Sequence, residues 1–198
     1  MENLNHALYF WLNAPEHPNT LVLMMAVFVA EWLIWTVPLG IGIGWLRGKE
    51  NTRKVMHIAT AAGMLGLFVN QIIGLAWLHP RPFMIGLGHT FLPHVNDSSF
   101  PSDHLTLWWA VAFSFLMQQR QRTVGIAMAL FGVPIAWARI YLGVHFPLDM
   151  LGAVVVATLS AWLAMHGARW YLMPAYRLAI DIYYALFGSL IERGWFSE

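Results

Sequence analysis

The sequence predicts an all-α fold, a polytopic membrane helix bundle of about five to six transmembrane helices. Three observations predict it. Of the 198 residues, 59% are hydrophobic and only 11% charged, with a mean hydropathy of +0.57, whereas a soluble domain typically carries about 25% charged residues. Apolar runs long enough to cross a hydrocarbon layer recur along the chain. The 11 Trp, 12 Phe and 6 Tyr suit a protein with two water interfaces, where rings with a polar edge accumulate. A formal net charge of only +1 provides no basic field to gather nucleic acid, so nucleic acid is not expected as a partner. The absence of Cys excludes disulfides, thiolate metal sites and cysteine nucleophiles.

Taken in order, Leu4 to Asn13 reads as a short interfacial helix. Met1 to Thr20 has no Lys or Arg and no long apolar core, which does not fit a cleavable signal peptide. Span 1 is Leu21 to Leu46, about 26 residues and long enough to cross a core of about 30 Å with some tilt. Span 2 runs from Val55 to Leu78, span 3 from Leu105 to Met117, span 4 from near Val124 to Tyr141 and span 5 from Leu148 to near Met165. Span 3 is short, but Pro101 to His104 are tolerated in a first helical turn and can extend it. Leu92 to Ser99, rich in Pro, Asn, Asp and Ser, reads as loop. Trp170 to Ile191 mixes apolar residues with Arg177 and Asp181, and is either a sixth segment or an amphipathic interfacial helix. The expectation is one integral membrane domain over 1–198, with peripheral or interfacial segments at 1–20 and 166–198.

Short cytoplasmic loops collect Lys and Arg. Arg47, Lys49, Arg53 and Lys54 follow span 1, Arg120 and Arg122 follow span 3, and Arg169 and Arg177 follow span 5. This orients those three connections inward and leaves the N-terminus and the connections after spans 2 and 4 outside. Arg81 and Arg139 are the exceptions on the outer side, which points to function. Glu31 lies ten residues into span 1, where a carboxylate costs roughly 2.5–3.5 kcal/mol unless it faces protein or water. It is expected to face inward, either touching the substrate region or bonding to a neighbouring span. Asn70 and Gln71 read as cross-links between helices.

Three short stretches converge on the outer face: Pro80-Arg81-Pro82, Pro101-Ser102-Asp103-His104, and Arg139-x5-His145-x3-Asp149. Two arginines present permanently charged planar forks that can hold a phosphate. Ser102 and the first amides of span 3 add donors at a helix N-terminus, where the dipole favours an anion. Two histidines can divide nucleophilic and acid work near neutral pH, and a carboxylate four residues beyond one of them can fix its tautomer. The inventory is that of a phosphoryl-transfer site without an obvious metal. His79, His89, His94 and His104 match no compact metal-ligand spacing.

The pattern resembles the type 2 phosphatidic acid phosphatase superfamily, with its Lys-x6-Arg-Pro, Pro-Ser-Gly-His and Ser-Arg-x5-His-x3-Asp signature; the resemblance covers roughly residues 65–163. The variant Pro-Ser-Asp-His and the short five-span body look like the bacterial undecaprenyl-diphosphatase subgroup of the bacitracin-resistance type. The resemblance implies that His145 attacks the terminal phosphorus to form a phosphohistidine, oriented by Asp149. His104 would protonate the leaving group, with Arg81, Ser102, Asp103 (through its backbone) and Arg139 around the phosphate. It further implies an isoprenoid lipid diphosphate substrate, no cofactor or metal, and a place in a bacterial inner membrane with the site facing the periplasm. The lipid bilayer is the expected surrounding, and no protein partner is evident. Phosphatidylglycerol phosphate, phosphatidic acid or diacylglycerol diphosphate remain alternative substrates, a phosphotransferase an alternative reaction, and a non-catalytic lipid-phosphate-binding protein an alternative class. The sequence departs from the signature in three places. Gly74 stands at the lysine position, Asp103 replaces glycine as a possible partner for an arginine or a second cation, and Ala138 replaces serine. Asn70, Gln71 or His79 are the candidates to make up for the lysine.

Overall fold

The computed structural model describes residues 2–192, with side chains described as far as residue 187; residues 193–198 of the expected peripheral segment 166–198 lie outside the described residues. Every regular element among them is helical: α1 (Glu2–Leu12), α2 (Thr20–Val27), α3 (Thr36–Arg47), α4 (Glu50–Ala76), α5 (Asp103–Leu116), α6 (Arg122–Tyr141) and α7 (Pro147–Glu192). Among the described residues, four helical stretches are long and apolar enough to cross a membrane: Thr20–Arg47, Glu50–Ala76, Gln119–Tyr141 and Pro147–Phe187.

The first rod is expected as one plain helix but is broken in the middle. Asn19 caps it, its Oδ1 accepting from the Leu21 and Val22 amides at 2.9 and 3.2 Å. A π-helical turn, Phe28–Trp32, and a 3-10 turn, Leu33–Trp35, then separate α2 from α3. Pro38 lacks the N–H that would reach the Ile34 carbonyl, and Thr36 Oγ1 donates instead to Leu33 O at 2.6 Å. The π turn inserts a residue into the register. Ala30 thereby takes the buried position while Glu31 is exposed and, among the described residues, makes no hydrogen bond to a neighbouring span. Its charge nevertheless acts on Arg139.

Helices α4, α5 and α7 meet along small residues. Ala59, Ala62 and Gly66 of α4 face Ala110 of α5 and Ala157 and Ala161 of α7. A Cβ at Gly66 would lie 2.8 Å from Thr106 Cγ2 and 3.5 Å from Ser160 Oγ. Without a hydrophobic drive between helices in lipid, such close approach supplies the packing contacts that hold the bundle. Helix α5 begins at Asp103, so His104 joins the helix as expected while Pro101 and Ser102 stay outside it. Its 14 residues span about 21 Å, short of a hydrocarbon core of about 30 Å. It is sheathed by protein: nine of the 14 residues are buried, and Trp108 and Trp109 donate to the Met128 and Ala129 carbonyls of α6 at 2.6 and 3.2 Å. The outward belt of Met24, Phe28, Phe68, Leu130 and Leu151 is larger than a soluble monomer exposes and faces lipid.

Trp170 to Ile191 is neither a sixth crossing nor a separate interfacial helix, because α7 continues through it without a break. Its inner half packs on the basic end of the bundle. There Arg53 lies 5.2 Å from the rings of both Trp45 and Tyr183, and Lys54 is 5.5 Å from Tyr176. Helix α1 lies across the opposite end. Tyr9 Oη donates to Leu87 O at 3.1 Å, and Asn13 Nδ2 donates to His89 O and Tyr141 O at 2.9 and 3.1 Å, while Leu4 and Trp11 stay exposed. The ends of α4 and α6 and the starts of α5 and α7 gather beneath it.

Candidate active site

Proline shapes each approach to the site. Pro82 opens a short 3-10 turn (Pro82–Ile85) just after extended Arg81, and Pro147 occupies the first position of α7, where its missing N–H costs nothing. Between α6 and α7 the chain reverses through Gly143, at φ +80° and packed on the His89 carbonyl, where an L side chain would be strained. That reversal sets His145 in the loop and Asp149 in the first turn of α7. The Asp149 carboxylate reaches back to the Phe146 amide at 2.7 Å, closing the helix start as a capping box does.

Arg81, Arg139, His145 and Asp149 are each 4% exposed or less, so their polar atoms must find partners inside the protein. His145 Nδ1 lies 3.2 Å from Asp149 Oδ2 and 3.0 Å from Ser99 O. Both are acceptors, so the proton sits on Nδ1 and Nε2 carries the lone pair. Nε2 is faced by Arg81 Nη1 at 3.1 Å and Arg139 Nη2 at 3.4 Å. Burial, reinforced by the two guanidinium groups, holds His145 well below the usual imidazole range and therefore neutral.

The two arginines differ in their freedom. Arg81 is tied by Nε to Asp97 Oδ1 at 2.7 Å, by Nη1 to Val144 O at 3.0 Å and by Nη2 to Ser98 O at 3.2 Å. Arg139 reaches Ala30 O at 3.5 Å and donates from Nη2 to His94 Nε2 at 3.0 Å, and its buried Nε has no partner. Ser102 Oγ and Asp149 Oδ1 are likewise buried without partners. Ser102 belongs to the same cluster, since its amide donates to Asp149 O at 3.4 Å. Orphan donors on Arg139 and Ser102 beside an unprotonated imidazole nitrogen describe a cradle for a tetrahedral oxyanion.

Two predicted residues are placed differently. The Asp103 carboxylate accepts from Asn70 Nδ2 at 2.8 Å and Gln71 Nε2 at 3.4 Å. It makes no ion pair or hydrogen bond with either arginine, though both of their charges act on it, and Asn70 and Gln71 are the cross-links expected of them. Asn70 also donates to Thr106 Oγ1 at 3.0 Å. His104 stands at the polar end of an apolar groove of about 370 Å³ lined by Ile34, Trp35, Pro38, Leu67 and Leu107. Gly74 opens onto a polar cavity of about 280 Å³ with Asp97 and Ser98 on its wall, and no cation replaces the lysine there. Asn70 and Gln71 are committed to Asp103, and His79 packs on Trp77 and Phe146.

Sequence reasoning missed the loop before α5. His94 touches Arg139, Asp97 and Ser98 hold Arg81, and Ser99 Oγ donates to Asp149 while its carbonyl accepts from His145. One signal was readable: a buried arginine needs a carboxylate, and Asp97 is the nearest one in the loop that follows Arg81. Among the described residues no three His, Cys, Asp or Glu gather around a common metal position.

The chain is 34% identical over 190 residues to "Undecaprenyl-diphosphatase BcrC" of Bacillus subtilis, covering 96% of this chain and 97% of that one. It is 38% identical over 202 residues to "Putative undecaprenyl-diphosphatase YbjG" of Escherichia coli, with 98% of each chain covered. Its fold is similar to the crystal structure of LpxE from Aquifex aeolicus, with a TM-score of 0.67 and 22% identity over 82% of this chain and 95% of that one. The family model of the PAP2 superfamily matches residues 54–172, the stretch that carries Arg81, Ser102, His104, Arg139, His145 and Asp149, and the chain belongs to that superfamily.

Proposed function

We propose that this membrane protein is a phosphatase that hydrolyses undecaprenyl diphosphate to undecaprenyl phosphate and inorganic phosphate, at the outer face of a bacterial inner membrane. The observation that carries the reading is the unprotonated Nε2 of His145 between two guanidinium groups, beside the orphan donors of Ser102 and Arg139. The names of two relatives matched over nearly their whole length support the lipid diphosphate as substrate. The apolar groove that ends at His104 offers the first isoprene units a path between spans, so the head group enters from the lipid side. The basic ends of the spans, opposite the site, support an outward-facing site.

In this reading Nε2 of His145 attacks the terminal phosphorus and the bridging P–O bond breaks. The lipid phosphate leaves with a proton from His104, whose proton affinity the incoming anion raises. Asp149 stabilises the phosphoimidazolium through Nδ1–H. Water then attacks phosphorus and gives its proton to His104, the P–N bond breaks, and inorganic phosphate departs with neutral His145 restored. Arg81, Arg139 and Ser102 hold the equatorial oxygens, where charge is greatest in the transition state. The test is phosphate release by purified protein from a panel of undecaprenyl diphosphate, phosphatidylglycerol phosphate, phosphatidic acid and diacylglycerol diphosphate. The expected result is preference for the isoprenoid diphosphate and no turnover by His145→Ala. Equal rates across the panel would remove the substrate assignment, and an active His145→Ala would remove the nucleophile.

A further inference from the structure

We infer that His94 is a further anion-binding residue of this site, one that accepts a hydrogen bond from Arg139 in the free protein and donates one to the phosphoryl group when it arrives. The inference rests on the phosphatase reading for the identity of the ligand, but its geometry is that of the cradle itself. His94 Nε2 and His145 Nε2 stand 3.0 and 3.4 Å from the same guanidinium nitrogen, Arg139 Nη2. The two rings meet edge to face, with centroids 6.2 Å apart and an interplanar angle of 79°. Any oxygen that takes Arg139 Nη2–H beside the nucleophile therefore arrives next to His94.

A guanidinium only donates, so His94 Nε2 is an acceptor in the free protein and its proton sits on Nδ1. Nδ1 lies 3.4 Å from Val95 O and 3.9 Å from Asp97 Oδ1. When a phosphoryl oxygen competes for Arg139, the charged acceptor wins. His94 Nε2 is then left facing an anion, and two lone pairs cannot share that contact without a proton between them. Burial and the charges of Arg81 and Arg139 push His94 down to about 4, while Asp97 opposes them, so the free imidazole is neutral. Of the other titratable groups of the cradle, His145 and His104 carry no negative charge toward it, and the Asp149 carboxylate faces His145 Nδ1 on the side away from Nε2. The arriving anion reverses the balance, and His94 binds a proton and donates from Nε2. Gly74 and Ala138, at the positions where the family signature has a lysine and a serine, have no side-chain donor to offer, which leaves this role to the loop.

The test is calorimetric titration of the full-length, detergent-solubilised protein with inorganic phosphate and with orthovanadate. It is run at pH 7 in two buffers of different protonation enthalpy, for wild type, His94→Ala and His94→Gln. The alanine variant is expected to bind roughly 10- to 100-fold more weakly, the loss of a hydrogen bond to a charged group. The glutamine variant keeps an acceptor for Arg139 and a donor for the anion, so it should stay within a few-fold of wild type. Wild type should take up about one proton more per anion than His94→Gln. Alanine-variant affinity within twofold of wild type would overturn the inference, as would equal proton uptake by wild type and the glutamine variant, or no anion binding by wild type. Anion binding that depends on His94, in a protein that leaves undecaprenyl diphosphate intact, would remove only the substrate assignment.

Discussion

At the scale of single residues, Asp149 and Ser99 decide how His145 is held. The carboxylate fixes Nδ1–H and stabilises the imidazolium that forms when Nε2 takes the phosphoryl group. Asp149→Asn offers an amide that can donate to Nδ1 and favour the wrong tautomer. It should lower kcat by roughly 10² to 10⁴-fold with little change in anion affinity, read by steady-state kinetics beside phosphate titration. Ser99→Ala removes a hydrogen bond to the same oxygen but keeps the carbonyl that accepts from His145, so a smaller loss of kcat is expected, about tenfold. Both buried imidazoles also leave a mark on stability. For His145 and His94 the folded protein resists protonation that the unfolded chain accepts near 6.5. Stability is therefore full above that pH and declines as pH falls, for His94 over the window from 6.5 to about 4. Thermal unfolding in detergent should show this decline in wild type and a shallower one in His94→Gln; parallel curves would contradict it.

At the scale of elements, the motifs were legible because their spacing follows helix ends: Ser102 precedes α5, Arg139 closes α6 and Asp149 opens α7. The spans were legible from hydropathy, which is a property of the whole run. Register was not. Pro38 was visible in the sequence, yet the π turn that buries Ala30 and leaves Glu31 exposed depends on how span 1 settles against α6, where the Ala30 carbonyl meets Arg139. The continuity of α7 was equally hidden, because Pro174 inside it reads as an end when tertiary packing is unknown. The loop Leu92–Ser99 looked like a connector since its chemistry lies in carbonyls and single side chains that take meaning only from the arginines they meet. A close contact between α4 and α5 gives a further prediction. Gly66→Ala places a methyl group 2.8 Å from Thr106 Cγ2, and Thr106 is held by Asn70. The variant should lose about 1–3 kcal/mol by overpacking, measured as a lower unfolding temperature, with an unchanged proton count on phosphate binding.

At the scale of the whole molecule, the question is which water phase the cradle meets. Helix α5 is sheathed by its neighbours and spans only about 21 Å, and Arg81, Ser102, Arg139 and His145 are nearly fully buried around its start, so the phosphate site is recessed from the surface. A recessed site can receive a head group carried on a lipid without lifting the tail from the bilayer, through the groove beside Leu67 and Leu107. Yet recession works equally well from either leaflet, and the distribution of Lys and Arg is what points outward. The chain contains no Cys, so single cysteines can report on sidedness without background. Asn96 is exposed in the loop that clasps the site, and Gln119 is exposed at the opposite end. In intact cells a membrane-impermeant maleimide should label Asn96→Cys, while Gln119→Cys should react only after the membrane is opened. Neither position touches the nucleophile, so hydrolysis by both variants can be verified in the same preparations. The reverse labelling pattern would place His145 on the cytoplasmic side, and the charge asymmetry would then need a cause other than orientation.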